Sequence, residues 1–420
     1  MNKTRAATKT KLSGQLTRIH PGLFAHAEAA LALLLPFAFP ADGELSRYFR
    51  EHRGIGQQER GFVAETCFYV LRKLRTLSAR ALLEGGNVTP RRLLLAALIG
   101  QGRNLRELEH LLKAEEATWL SAVKGFSDET LSPAERLDLP DWLYTRLLEV
   151  FGEETNALAR ALNISAPLDL RVNLLQGSRE SVVEALKGEG LSVEIGQHSP
   201  FAVRLREKPA LTRHPLFLAG KIEVQDEGSQ LLGLLLSPKR GEVVADFCAG
   251  AGGKTLLLGM LMKNTGRLYA FDISSRRLEK LKPRLARSGL SNVRPICLDS
   301  ERDSKLKRLA GKMDRVLVDA PCSGLGTLRR NPDLKWRQTP DSVAELTARQ
   351  SAILTAAARL VRPGGHLLYA TCSLLPEENE GVVQAFFATH PGWTLNEEQR
   401  LFPHTHGTDG FYAALVKREG

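Results

Sequence analysis

Two of the five cysteines stand where a thiol could do covalent chemistry. Cys322 lies in Asp319-Ala320-Pro321-Cys322-Ser323-Gly324 and Cys372 in Tyr369-Ala370-Thr371-Cys372-Ser373, each just beyond a short apolar run of buried-strand character. On adjacent parallel strands both thiols would face the crevice beyond the strands' carboxyl ends, where sheets of this kind bind ligands. A thiolate there is a nucleophile for an electron-poor ring carbon, and a second thiol beside it can help the adduct come apart. The other cysteines read differently. Cys67 on an apolar helical stripe and Cys297 inside a strand are small core hydrophobes, and Cys248 is structural. With no CxxC pair and no regular spacing, the set is neither a disulfide framework nor a metal site, and a reducing, cytoplasmic setting fits.

Upstream, a strand runs into Cys248-Ala249-Gly250-Ala251-Gly252-Gly253-Lys254-Thr255. Glycines let this turn approach a ligand closely, and the following helix offers free N–H groups. Two ligands suit the loop. Gly253-Lys254-Thr255 ends like a Walker A phosphate loop, with Leu317-Val318-Asp319 as a Walker B mimic, which would make the chain an ATPase; the opening position, however, is Cys248 and not glycine. Asp272 and Asp299, at the next two strand ends, favour a nucleoside without a triphosphate: the first would accept the ribose hydroxyls, the second an adenine amino group. S-adenosylmethionine presents both. With a methyl donor in the cleft the thiols acquire a purpose, since addition to carbon 6 of a cytosine makes carbon 5 enamine-like and able to take a methyl group. Asp319 would then hydrogen-bond the N3 side of the ring.

These residues need a scaffold. From Gly241 onward strand, turn and helix alternate, with strands expected at 243–248, 267–272, 293–298, 315–320 and 366–371, which predicts a doubly wound, mostly parallel α/β sheet. Residues 136–220 read as a small α/β piece, with a helix from Asp141 to about Leu162, a strand at 168–172 and a helix at 181–187. Residues 21–135 read as helix after helix: Phe62, Val63, Cys67, Val70, Leu71 and Leu74 form one stripe that closes near Gly85-Gly86, and Thr89-Pro90 is an N-cap and first turn. The most apolar stretch, 23–41, contains His26, Glu28, Pro36 and Pro40, so it is a buried helix ended at Pro36 and not a membrane span. Residues 1–20 hold Lys3, Arg5, Lys9, Lys11 and Arg18 without an acid, a basic arm or a mitochondrial presequence.

A net charge of +11 over 420 residues makes nucleic acid the leading partner class. Arg72, Lys73, Arg75, Arg80, Arg91 and Arg92 suit RNA phosphates or, equally, a solvated helix face. Arg329, Arg330, Lys335, Trp336 and Arg337 suit a splayed-out RNA strand, with packing of Trp336 under its loop as the equal alternative.

The cofactor loop, the Asp319–Gly324 and Thr371–Ser373 segments and Pro376-Glu377-Glu378-Asn379 together resemble the RsmB/NOP (Fmu/Sun) family of RNA cytosine-5 methyltransferases. Leu170-Arg171-Val172-Asn173, Gln225-Asp226-Glu227-Gly228-Ser229-Gln230 and Asp409-Gly410-Phe411 add to the match, which is firm from about Pro140 to the end. The resemblance implies a Rossmann-like methyltransferase domain over residues 221–420, an RNA-recognition-like subdomain over 136–220 and a NusB-like RNA-binding module over 21–135. It also implies that Cys372 is the nucleophile and Cys322 the releasing group, an order the residues leave open because DNA cytosine methyltransferases attack from the Pro-Cys position. Cys248 to Lys254, Asp272, Asp299 and Asp319 become the S-adenosylmethionine site. Gly250-Ala251 replaces the family's commoner Pro-containing turn, which should loosen the loop without removing its backbone donors. The expected partner is RNA, 16S ribosomal RNA ahead of tRNA or 23S rRNA, with neither metal nor membrane, acted on by a cytoplasmic monomer. A non-catalytic RNA-binding relative is disfavoured by the presence of both thiols and Asp319.

Overall fold

The computed structural model describes residues 18–420; the expected basic arm lies outside the described residues apart from its last three positions. The chain forms two compact units, one running to Asp141 and including Asn331–Arg337, the other made of Trp142–Arg330 and Gln338–Gly420.

The first unit is all helical. Helix Pro21–Leu34 starts on a proline and stops before Pro36, as the sequence predicts. The expected stripe is broken, because helix Gln57–Arg72 ends at Lys73 and a second helix, Leu74–Ala81, begins. The cause is a distant acid: Asp138 is buried and accepts from the Thr76 N–H at 2.9 Å and from Lys73 Nζ at 3.2 Å, so it caps the second helix from across the unit. Thr89 caps helix Pro90–Gly100 through the Arg92 N–H, as expected. Cys67 is in the core, and burial pushes its thiol up to about 12.

The arginines expected to face RNA are mostly engaged within the unit. Lys73 pairs with Asp138, Arg75 with Asp141, Arg80 with Asp128 and Arg91 with Glu116, while Arg72 is buried and Arg92 bonds the Ala81 carbonyl and covers the Trp119 ring. Residues after the Pro-Cys loop behave likewise. Lys335 Nζ donates to the Arg72 carbonyl at 2.9 Å, Trp336 Nε1 donates to the Leu71 carbonyl at 2.7 Å, and Arg337 pairs with Asp333. The splayed-strand platform expected from Lys335, Trp336 and Arg337 is therefore replaced by packing.

The second unit carries two sheets. Strands β1 (Leu168–Val172), β2 (Val193–Ile195), β3 (Ala202–Leu205) and β4 (Ile222–Val224) form an antiparallel sheet in the order β2-β3-β1-β4, packed on helix Arg179–Gly188. The helix expected from Asp141 to Leu162 is two, Asp141–Phe151 and Thr155–Leu162, separated at Gly152, whose φ is +51°. The larger sheet comprises β5 (Val243–Asp246), β6 (Arg267–Asp272), β7 (Val293–Cys297), β8 (Met313–Asp319), β9 (Val361–Thr371), β10 (Trp393–Leu401) and β11 (Phe411–Arg418) in the order β10-β11-β9-β8-β5-β6-β7. The five central and outer strands from β9 to β7 are parallel, and the β10–β11 pair adds an antiparallel edge. Alternate residues cover both faces: Tyr269, Phe271, Val316, Val318 and Tyr369 pack on one side, and Val244, Leu268, Leu317 and Leu368 on the other. Cys297 departs from its expected burial. It ends the edge strand β7, which has no neighbour to cover it, and is exposed. Among the described residues no helix is long and apolar enough to cross a membrane, and no group of three or more His, Cys, Asp or Glu is placed to hold a metal ion.

Candidate active site

The carboxyl ends of β5, β6, β8 and β9 open on a cleft of about 1110 Å³ within the second unit. After β5 the chain turns through Cys248 to Gly252 and enters helix Gly253–Leu261. Gly250 has φ +57° and open space where a side chain would stand, leaving its backbone accessible from the cleft. Gly252 serves differently. Its φ is +89° and an added Cβ would come within 2.1 Å of the Leu281 side chain, so it packs inward and, alone among the expected donor residues, does not line the cleft.

Asp272 ends β6 and anchors the loop, accepting the Gly250 N–H at 2.8 Å and the Ser274 N–H at 2.7 Å. Asp299 lines the cleft after β7, and its carboxylate accepts no hydrogen bond from a described residue. Ile273, 66% exposed, offers an apolar surface between these acids. Lys254 is not the exposed first-turn lysine that the sequence allowed; it is mostly buried and donates to Asp319 at 2.6 Å. Burial opposes its charge, but Asp319 more than offsets this and raises the ammonium above its ordinary value, with Cys372 contributing in the same sense. A lysine held in this way is not available to phosphates. The cleft wall carries Asp226, Asp272, Asp299, Glu301, Asp319 and Asp409 against Lys254, Arg277, Arg330 and Arg349, an acidic excess that suits a cationic donor and opposes a triphosphate.

The thiols meet as the sequence predicts. Parallel pairing of Asp319 with Ala370 brings the ends of β8 and β9 level, and Cys322 Sγ lies 3.4 Å from Cys372 Sγ on the cleft wall. Cys322 is pushed well above its ordinary value, first by its hydrogen bond to Cys372 and then by burial and by the nearby Glu378 carboxylate. Cys248 is raised by burial, in keeping with a structural part.

Sequence reasoning missed the group that sets this geometry. Glu378, fully buried, accepts from the Ser323 N–H at 2.8 Å, from Ser323 Oγ at 2.5 Å, from Gln350 Nε2 at 3.0 Å and from Ser373 Oγ. It thus joins the residues that follow the two cysteines. Pro376-Glu377-Glu378-Asn379 was visible as a motif, but nothing in its spacing shows an acid turned inward. Arg171 was also missed: its buried guanidinium, on β1, donates to the Gly253 carbonyl at 2.8 Å and to Gln225, tying the small sheet to the donor loop. Arg329 and Arg330, expected on RNA, are held by the Gly407 and Thr408 carbonyls and by Asp409 and Asp226.

Asp246 lies beneath the loop at the end of β5, with Oδ2 accepting from Thr255 Oγ1 at 2.7 Å and Oδ1 buried without a partner. Burial lifts it from 3.8 to about 7. Its folded-state value is above its unfolded one, so its contribution to stability is complete below 3.8 and is lost as pH rises through about 7. Asp246→Asn should remove up to about 1.4 kcal/mol per pH unit of that decline, read from denaturant unfolding at several pH values. An identical pH profile for variant and wild type would refute the assignment.

Five parallel strands with helices between them, a glycine turn after the first strand and acids at the next strand ends define a Rossmann-like methyltransferase. Comparison makes the family specific. Residues 233–417 match the family described as 16S rRNA methyltransferase RsmB/F, and residues 139–212 match the RsmF/B-like ferredoxin-like domain. The chain is 38% identical over 308 residues to a probable ribosomal RNA small subunit methyltransferase B of Synechocystis sp., covering 69% of each protein. It is 33% identical over 398 residues to ribosomal RNA small subunit methyltransferase B of Sodalis glossinidius, covering 86% of this chain and 91% of the relative. Among solved structures, PH0851 superposes with a TM-score of 0.81 at 28% identity, over 95% of this chain and 99% of that one. NSun6 from Pyrococcus horikoshii with SFG gives 0.62 at 25% identity, over 67% and 98%. The chain belongs to the RsmB/F family of rRNA methyltransferases, whose methyl donor is S-adenosylmethionine.

The cleft fits that donor on its own features: an unpartnered carboxylate at Asp299, an exposed apolar side chain at Ile273, an open backbone at Gly250 and an acidic wall.

Proposed function

We propose that this chain methylates carbon 5 of a cytosine in 16S rRNA through a covalent adduct on Cys372. The observation that carries the proposal is the 3.4 Å approach of two unoxidised thiols beside the Lys254–Asp319 pair. Bound along Cys248–Ala251, Gly253, Lys254, Asp272 and Asp299, S-adenosylmethionine supplies an electrophilic methyl group. The chain's own residues do the rest. The hydrogen bond to Cys372, burial and the Glu378 carboxylate all disfavour charge at Cys322, so Cys322 keeps its proton and Cys372 is assigned as the nucleophile. Cys372 Sγ adds to carbon 6; Asp319 orients the N3 side of the ring by hydrogen bond, and the Lys254 ammonium paired with it offsets the negative charge that moves onto the ring. Once carbon 5 is methylated, Cys372 is a neutral thioether and no longer holds the proton on Cys322, so Cys322 passes that proton to solvent and takes the carbon 5 proton. The double bond re-forms and Cys372 leaves.

The helical unit is read, within this proposal, as a NusB-like RNA-binding module. Location in the cytoplasm and action as a monomer belong to the same reading. Bisulfite sequencing of total RNA from a deletion strain should reveal one cytosine in 16S rRNA that loses its methyl group; a lost site in tRNA or 23S rRNA instead would reassign the substrate. Calorimetry should detect S-adenosylmethionine binding and none for ATP, and Asp272→Ala should weaken the donor about tenfold or more by releasing the loop that it anchors through the Gly250 N–H. Tight ATP binding without a response to S-adenosylmethionine would overturn the donor site.

A further inference from the structure

Beyond residues 1–17, which hold four basic side chains and no acid, the positive excess of this protein is concentrated in one region. Residues 18–141 carry sixteen basic and sixteen acidic side chains, so the described helical unit has no net charge apart from the short returning segment. Residues 275–312 carry twelve basic and four acidic side chains, a net +8 of the chain's +11. That stretch is helix Ser275–Ser288, the edge strand β7 and the chain leading through the short helix Ser304–Lys307 to β8.

The charges there are of two kinds. Arg284 and Arg287 are committed to Glu223 on β4, and so hold the helix against the small sheet. Arg276, Arg277, Lys280, Arg294, Lys307 and Arg308, by contrast, are exposed and form no ion pair among the described residues. An edge strand benefits from charge that keeps it from pairing with other chains, and Arg294 on β7 serves that need. Edge protection does not account for Arg276, Arg277 and Lys280, which stand on a helix beside the strand. Arg277 also lines the cleft, making the positive face continuous with the site of chemistry. Meanwhile the arginines of the helical unit and those after the Pro-Cys loop are largely satisfied internally.

We propose that the face formed by helix Ser275–Ser288 and β7 is a docking surface for RNA phosphates, lying beside the donor end of the cleft. The inference rests on the RNA methyltransferase reading and adds where the polyanion is held. Phosphate contacts of this kind release counterions, so each one lost should lower the salt dependence by a definable amount.

The test uses the full chain and deproteinised 16S rRNA from a strain lacking this methyltransferase. R276A/K280A/R294A removes three free charges and leaves Arg277 at the cleft intact; K187A/R240A/R359A removes three exposed charges elsewhere in the second unit as a control. For the first variant the slope of log affinity against log salt should fall by about 2–3, and affinity at physiological salt should drop on the order of 100-fold. Its donor affinity and its kcat at saturating RNA should match wild type, and the control should bind RNA as wild type does. An unchanged slope and affinity, or an equal loss in the control, would overturn the surface. Wild-type turnover on the same RNA checks the other reading separately: a reduced slope in the variant with no methylation by wild type would retain the surface and reject the enzyme assignment.

Discussion

Cys372→Ala should lose methylation by on the order of 10⁴-fold or more, the scale on which removing a covalent nucleophile acts, and should form no protein–RNA adduct. Cys322→Ala should lose turnover as well, but for a different reason and with a different product. Its nucleophile is intact, so the first bond forms and carbon 5 is methylated; elimination then stalls and RNA stays attached to Cys372. A denaturing gel with labelled RNA and donor should show a resistant band for Cys322→Ala and none for Cys372→Ala. The asymmetry is expected from position: burial and the Glu378 carboxylate oppose charge at Cys322, which leaves Cys372 to attack. An adduct on Cys372→Ala and none on Cys322→Ala would exchange the roles. Full activity in both variants would remove covalent catalysis from the proposal.

Glu378→Ala should reduce both stability and rate, in separable ways. Removing the carboxylate strands the buried Ser323 N–H and leaves Gln350 Nε2 with only the Pro321 carbonyl, at a cost of about 2–4 kcal/mol in unfolding free energy. The two cysteine loops also lose their shared anchor. Because a misplacement of about 1 Å can cost about 100-fold, kcat should fall by roughly that factor while KM for RNA stays near wild type. Glu378→Gln, which keeps an oxygen for the Ser323 N–H and can donate to a serine Oγ, should recover part of both losses. A variant that unfolds early yet retains wild-type kcat at a temperature where it is folded would show that Glu378 supports the fold and does not position the thiols.

Much of the catalytic unit is legible in the residue order because its strands are buried on both faces and so read as apolar runs. Strand β6 starts and ends where those runs predict, and the cysteines, Asp319 and all of the donor loop except Gly252 face the cleft. The same rule explains what escaped. Strand β10 reads Trp-Thr-Leu-Asn-Glu-Glu-Gln-Arg-Leu and is largely exposed at the sheet edge, so no apolar run marks it. Cys297 looked buried because its neighbours in sequence are apolar, but an edge strand has one side without cover.

Local pattern also fixed the cap at Thr89 and the stop before Pro36, since both depend on a residue and its immediate neighbours. It could not place Asp138 against Thr76, sixty-two positions away, or foresee the helix break that this acid stabilises. Composition established the excess of positive charge, and motif spacing established two thiols at strand ends. Which arginines remain free is settled by ion pairs between distant segments, such as Arg91 with Glu116 and Arg330 with Asp226 and Asp409. The 3.4 Å separation of the sulfurs is likewise set by the β8–β9 register and by a buried carboxylate that reaches both loops, contacts that exist only once the sheet has formed.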